Sequence, residues 1–336
     1  MTDIFSCDAI ANTRNPELAI GLTTPIDSGL TPAHMLAALR EHKAPLLERM
    51  RTHGALLFRG FPIATDMDFH KVIEAFELPN FRYLDSLSNA VRRTRSDRVF
   101  TANEAPASVE IFLHHEMAQT PVYPRFLLFF CEKAPTRGGA TPLCRSDHLL
   151  SAMSRELPDF VRKCAQEGIR YTSVMPAAAD ASSGQGRGWI GTLGTEDTKE
   201  AEKKLDGLGY RWNWLENGDL RVSTPALPAI RRTEDGTRVF FNQLIAAFKG
   251  WNDSRNEGGK SVCFGSGESL EPSDLARTSA LADALTQDLE WRRGDVVIVD
   301  NFLMMHGRRP FEGSRSILAS LIAKHQVDPS IHTGIL

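Results

Sequence analysis

Phe112-Leu113-His114-His115-Glu116-Met117 sets an imidazole and a carboxylate two residues apart in an apolar run, and this spacing restricts the fold more than any other feature of the chain. In a β-strand, residues i and i+2 share a face, so His114 and Glu116 are expected side by side with His115 pointing away. A metal needs a third ligand. The best candidate is His306, nearly two hundred residues on, at the end of the strand-like run Val299-Asp300-Asn301-Phe302-Leu303-Met304-Met305-His306. A fold that uses this set must bring two distant strands together. Two histidines and a carboxylate capping one face of a metal, with the opposite positions open, suit an oxygen-activating Fe(II) centre; zinc accepts the same groups.

The chain has 336 residues, 42% of them hydrophobic, enough for a sizeable core. We expect one domain over residues 1–336, with an N-terminal helical part and an irregular insertion near 175–220. A formal charge of −3 leaves no broad basic field, which argues against nucleic acid as partner. No apolar run approaches the roughly 20 residues that span a bilayer. Met1-Thr2-Asp3-Ile4-Phe5-Ser6-Cys7 lacks the basic and apolar regions of a signal peptide. The expected location is the cytoplasm. Cys7, Cys131, Cys144, Cys164 and Cys263 show no CxxC spacing and read as reduced, mostly buried thiols.

Thr31-Pro32 reads as a cap and first turn, and Met35, Leu36, Leu39, Leu46, Leu47 and Met50 follow helical spacing, which predicts one long helix. A buried strand is expected within 54–62 and a second helix from Met67 to Phe76. The polar segment 82–107, with Arg92, Arg93, Arg95 and Arg98, reads either as a wall of a substrate entrance or as a solvated basic loop. Phe126 to Glu132 suits a strand buried on both faces, and Gly138-Gly139-Ala140-Thr141-Pro142-Leu143 turns the chain into another. Helical patterns cover 147–167, 197–208 and 272–289. The stretch 175–194 has the composition of a lid or a surface loop. Asn217-Gly218 between 210–214 and 220–222 signals a hairpin. Strands are expected at 238–243 and 294–300. Many strands after a helical start, without regular alternation, predict an α+β chain built on an antiparallel barrel or sandwich.

Arg315 follows His306 inside Gly313-Ser314-Arg315-Ser316-Ile317-Leu318. A charge in such an apolar setting calls for a buried anionic partner, and a guanidinium can fork onto the carboxylate of an organic co-substrate.

Taken in order, His-x-Glu at 114–116, Gly-Gly-x-Thr at 138–141, Trp-x-x-Gly-Asp at 291–295, Asp-Asn at 300–301, His-Gly-Arg at 306–308 and Arg315 resemble the taurine and 2,4-D dioxygenase superfamily of Fe(II)/2-oxoglutarate oxygenases. Leu113 to Ala118, Phe241-Asn242-Gln243 and Gly265-Ser266-Gly267 look most like its clavaminate synthase and SyrP-type tailoring hydroxylase branch. The resemblance runs from about Gly54 to Ala319. It implies a double-stranded β-helix, or jelly roll, with flanking helices. It also implies iron held by His114, Glu116 and His306, and the distal carboxylate of 2-oxoglutarate held by Thr141 and Arg315. Asn242 and Arg98 are candidate substrate contacts. Where family members have a second arginine four residues after the first, this chain has Ala319, which argues against a sulfonate or clavaminate-like substrate.

The implied reaction uses O2 and converts 2-oxoglutarate to succinate and CO2 while a C–H bond is hydroxylated; desaturation stays open. Glu116, where related halogenases have a small residue, disfavours halogenation. The expected substrate is a free amino acid or an aminoacyl group on a peptidyl carrier protein docked on the arginine cluster, in natural-product biosynthesis. The competing reading is a jelly-roll metal-binding protein or a zinc hydrolase. Against the hydrolase, no second Glu or His is placed as a general base, and Arg315 would have no role.

Overall fold

In the computed structural model, residues 5–10, 20–25, 29–180, 182, 185–251 and 253–326 are described. The readings that fall on residues 1–4, on Gly184 and on the Cys7 side chain lie outside them. A seven-stranded sheet runs in the order Phe5–Ile10, Ile20–Pro25, Ala55–Phe58, Val296–Asp300, Val122–Lys133, Ser316–Gln326 and Phe100–Thr101. Neighbours are antiparallel except Ile20–Pro25 against Ala55–Phe58. A four-stranded antiparallel sheet has the order Thr286–Leu289, Thr141–Arg145, Met304–Arg308, Ile111–His114.

Strand alternation explains the layers. Along Val122–Lys133, Leu127, Phe129 and Cys131 enter a core shared with Leu143, Leu289 and Met304 of the smaller sheet. Phe126, Leu128 and Phe130 face the other way, onto Met35, Leu39, Met50 and Phe69 of the N-terminal helices. This is why Phe126 to Cys131 are apolar at every position. The smaller sheet likewise turns Leu113, Cys144 and Met305 onto a third core, with Leu149, Phe160 and Leu275 of the later helices. Helices therefore cover both outer faces, and the inter-sheet core lies between.

The structure differs from the periodicity at several points. The expected long helix is two, Pro32–Glu41 and Lys43–His53, because Pro45 in the first turn of the second has no N–H to continue the first. Pro158 splits 147–167 in the same way, into Ser146–Glu156 and Pro158–Glu167. The helix from Pro272 ends at Ala284, and Thr286–Leu289 is a strand paired with Thr141–Arg145. Only Arg238–Val239 of 238–243 is strand, and a helix, Leu244–Gly250, follows. The expected irregular insertion has its own small core. Met175, Trp189, Leu193, Leu205, Tyr210 and Val222 cluster around the helix Thr198–Gly207 and the hairpin Arg211–Trp214 with Leu220–Ser223. Cys131, Cys144 and Cys164 are free and buried, and Cys263 is free and half-buried.

The turn after Val296–Asp300 leads into the strand that carries His306. Asp300 is fully buried, accepts from the Phe302 and Leu303 N–H groups at 2.8 and 3.3 Å and pairs with Arg125. It ends the large sheet's strand, and the smaller sheet's strand begins at Met304. Removing one partner of a buried ion pair is costly, so Asp300→Ala should lower the unfolding free energy by about 3 kcal/mol or more. An unchanged urea midpoint would show that the turn holds without it.

Candidate metal centre and cavity

His306 stands directly opposite His114 in the pairing of Met304–Arg308 with Ile111–His114, and the two rings lie 4.4 Å apart. Gly307 makes the close approach possible: a Cβ there would come within 2.4 Å of the Ile111 carbonyl oxygen. Glu116 is not on the strand, which ends at His114; it lies on the turn that follows, next to Met117 at φ 59°. The buried Asn301 holds that turn, since its Oδ1 accepts from the Glu116 N–H at 2.8 Å and its Nδ2 donates to the Glu116 carbonyl at 3.1 Å. Ligand atoms of His114, Glu116 and His306 lie within 4.8 Å of one another.

The donors suit a cation. His114 Nδ1 donates to the Phe112 carbonyl oxygen at 2.7 Å, leaving Nε2 as a lone-pair donor. Burial, aided by His306, pushes its imidazole down to about 4, so the ring is neutral. Burial alone raises the Glu116 carboxyl, but Arg92 and His306 outweigh it and hold the group well below the usual range. One Arg92 nitrogen donates to both Glu116 oxygens, at 3.0 and 3.1 Å, and the guanidinium packs 5.1 and 5.4 Å from the Tyr83 and Phe100 ring centres. His306 turns Nε2 to Glu116 at 3.5 Å, while its buried Nδ1 has no partner. His115 points away from the centre, into the core: it is fully buried, donates to the Asn301 carbonyl and packs on Phe241.

A cavity of about 420 Å³ opens above these side chains and is also lined by Arg92, Thr141 and Arg315. Thr141 is buried and accepts from Trp291 Nε1 at 3.0 Å, which leaves its own proton to donate. Arg315 lies one residue before its strand, not inside it. Its Nε donates to the Gly139 carbonyl at 3.1 Å, and no described carboxylate pairs with it. Burial and the nearby Arg308 push it down to about 10. Arg308 is no substitute, since it is tied to the Ala105, Pro106 and Val109 carbonyls.

Two expected substrate contacts lie elsewhere. Arg98 reaches the Leu78 carbonyl, and Asn242 is buried, donating to Ala229 and capping Leu244; neither lines the cavity. The arginine cluster is not an open basic patch either. Arg92 is buried on Glu116, Arg93 pairs with Glu104, and Arg95 pairs with Asp66 and Glu132. Sequence reasoning missed the Arg92 pairing and the Asn301 clamp. The Asp-Asn pair before His306 hinted at the second, and nothing local marked the first.

Two packed, mostly antiparallel sheets with a His-Glu-His cluster between them fit the class of jelly-roll non-haem iron oxygenases. Residues 22–321 match the model of the family described as taurine catabolism dioxygenase TauD, TfdA family, and the chain belongs to that family. It is 38% identical over 285 residues to a clavaminate synthase-like protein of Arabidopsis thaliana, covering 84% of this chain and 86% of that protein. It is 29% identical over 295 residues to the dapdiamide synthesis protein DdaC of Enterobacter agglomerans, covering 83% and 84%. Among solved structures, PvcB of Pseudomonas aeruginosa is similar with a TM-score of 0.55 at 15% identity, covering 96% of this chain and 92% of that one. An asparagine oxygenase is similar with a TM-score of 0.54 at 14% identity, covering 85% and 79%. The protein is an Fe(II)/2-oxoglutarate-dependent dioxygenase. Among the described residues, no helix is long and apolar enough to cross a membrane.

His114→Ala, Glu116→Ala and His306→Ala should each abolish tight binding of Fe(II), or of Mn(II) as its probe, in anaerobic calorimetry. His115→Ala should retain binding and instead lose about 2 kcal/mol of stability, because it opens a hole in the core. Full metal affinity in the Glu116 variant would refute the ligand set.

Proposed function

We propose that the protein hydroxylates an unactivated C–H bond of an amino acid or aminoacyl group while 2-oxoglutarate becomes succinate and CO2. On this reading residues 1–336 form one oxygenase domain, His114, Glu116 and His306 hold the iron, and Thr141 and Arg315 take the distal carboxylate of 2-oxoglutarate. One observation carries it: the three ligand side chains and a guanidinium without an acidic partner line the same cavity. When bound, iron and 2-oxoglutarate supply the oxidant that takes hydrogen from the substrate carbon.

The chain's own residues prepare that site. Arg315 offers its terminal nitrogens as a fork for a carboxylate, and Thr141 adds a donated proton. Arg92 keeps Glu116 ionised. Phe129, 5.3 Å from the His306 ring, and the buried Ile317 give the cavity an apolar wall that limits water. A volume of about 420 Å³ lies at the small end of ligand sites, which supports an amino-acid-sized substrate beside the co-substrate. The name of the DdaC relative supports a natural-product setting. The lack of a second arginine, with Ala319 buried in the inter-sheet core, supports a substrate without a free carboxylate, such as a carrier-bound aminoacyl group. Free, mostly buried cysteines support a cytoplasmic setting.

Aerobic incubation with Fe(II) and 2-oxoglutarate should release succinate, and matched substrate should increase the release with a gain of one oxygen in product mass. A protein that binds the metal and releases no succinate would instead be a binding protein or a hydrolase. Arg315→Lys replaces a fork with a point charge and should raise the 2-oxoglutarate concentration for half-saturation roughly ten- to a hundredfold, with a smaller effect on saturated turnover. An unchanged titration would refute the role of Arg315.

A further inference from the structure

A second cavity, of about 410 Å³, adjoins the first, and Ala102, Asn103, Arg308, Arg315 and Ile317 line both. None of His114, Glu116 and His306 lines it, and it opens to solvent at the exposed Arg93, Thr94 and Arg95. Four arginines face this space, Arg93, Arg95, Arg308 and Arg315, and Glu104 is the one acid among its described lining residues. Glu104 is taken by Arg93, and Arg95 turns to Asp66 and Glu132. Arg308 and Arg315 have no such match. Arg308 donates to the Asn103, Ala105, Pro106 and Val109 carbonyls, and Arg315 to the Gly139 carbonyl. Their guanidinium carbons lie 5.3 and 5.7 Å from the centre of the Phe311 ring, which lines the second cavity and not the first. Carbonyl dipoles and a ring face stabilise a guanidinium without cancelling its charge. The distal carboxylate of 2-oxoglutarate would bring one negative charge to this pair from the first cavity, and one positive charge would be left over beside the second.

We propose that the second cavity binds a small oxyanion with two or more negative charges, of phosphate or carboxylate type, against Arg315 and Arg308, and that this anion weakens the hold on 2-oxoglutarate. The site itself goes beyond the oxygenase reading, and its effect on 2-oxoglutarate rests on the role that reading gives Arg315. Oxyanions of both types match the planar fork of a guanidinium. The terminal nitrogens of Arg315 have no described partner, so they are free for an oxyanion from either cavity. An anion that takes one of them from the second cavity leaves half a fork for the first, and two anions on one guanidinium repel each other. The two cavities are distinct spaces, so both can be filled at once and the antagonism reaches a limit. By linkage, 2-oxoglutarate weakens the anion by the same factor.

Thr94 provides the test, because its exposed side chain lines the second cavity alone. Calorimetry of the anaerobic Fe(II)-loaded protein with sulfate, and separately with propane-1,2,3-tricarboxylate, reads the anion site directly at constant ionic strength. At least one of the two should bind wild type and Thr94→Gln alike, and bind at least roughly fivefold more weakly to Thr94→Glu, which sets a carboxylate in the cavity. Tighter sulfate assigns a phosphate-type ligand, and tighter tricarboxylate a polycarboxylate. Binding of neither, or equal binding to Thr94→Glu, would overturn the site. Visible absorbance then follows 2-oxoglutarate on the same protein. Added anion should raise its half-saturation concentration by roughly fivefold or more and then have no further effect. Thr94→Glu should need at least roughly fivefold more anion for the same rise, while its half-saturation without anion stays within about twofold of wild type. No rise, or the unlimited rise that direct competition in the first cavity gives, would overturn the linkage. Anion binding that Thr94→Glu weakens supports the site even where wild type gives no 2-oxoglutarate signal, an outcome that would fail the co-substrate reading alone.

Discussion

The two hydrogen bonds between the Asn301 amide and the Glu116 backbone are the constraint on which the centre depends. The turn that carries Glu116 leaves its strand and passes through a left-handed residue at Met117, so no strand ladder holds it. Asn301 supplies both missing partners, and its third bond, from Nδ2 to the Pro124 carbonyl at 2.8 Å, fastens the same turn to the large sheet. Its own carbonyl takes the His115 proton. The residue that precedes it, Asp300, shapes the crossover into the His306 strand. One dipeptide thus fixes Glu116 and sets the path of His306, which is how side chains far apart in the chain come within 4.8 Å of one another.

Electrostatics around the centre follow from the same burial. A carboxylate and two imidazoles cannot be packed together out of water without a compensating charge. Arg92 provides it from the segment between the helical start and His114, with its guanidinium packed against two aromatic rings that also touch each other. The neutral His114 ring and the ionised Glu116 then present lone pairs rather than protons to the cavity. Arg315 is the opposite case, a largely buried cation that pairs with no carboxylate among the described residues. The two arginines thus differ in their partners: Arg92 is matched by Glu116, and Arg315 reaches only the Gly139 carbonyl among the described residues.

Much of this was legible in the sequence, for physical reasons that differ by element. The doubly apolar run Phe126 to Glu132 could only be a strand covered on both faces, and it is the centre of the large sheet between two cores. His114, His306 and Thr141 stood out because their residue types and order carry chemistry, and the structure brings all three to one cavity. The helix boundaries were less legible, because hydrophobic periodicity continued through Pro45 and across the Ala284–Thr286 junction, where strand pairing overrides helical pattern. Arg92 was read as part of a basic segment. A charged residue's partner depends on tertiary structure, and nothing local distinguishes an arginine aimed at a buried glutamate from one aimed at solvent. The same limit applies to Arg98 and Asn242, whose partners are backbone carbonyls and a helix end.

The insertion shows how a segment of loop-like composition can still build a fixed cavity wall. Arg187 is buried within it and donates to the Ser86 and Ser88 carbonyls at 2.9 and 3.2 Å, and to the Ser86 hydroxyl at 3.2 Å. It also packs 4.7 Å from the Tyr83 ring, the ring against which Arg92 lies. Burial pushes the Arg187 guanidinium below its usual range, and the fan of carbonyls offsets part of that cost. Through Tyr83 the insertion is therefore linked to the arginine that balances Glu116. A wall that moved freely would have to break this buried network, so the Arg187 contacts tie the insertion to the segment that carries Arg92.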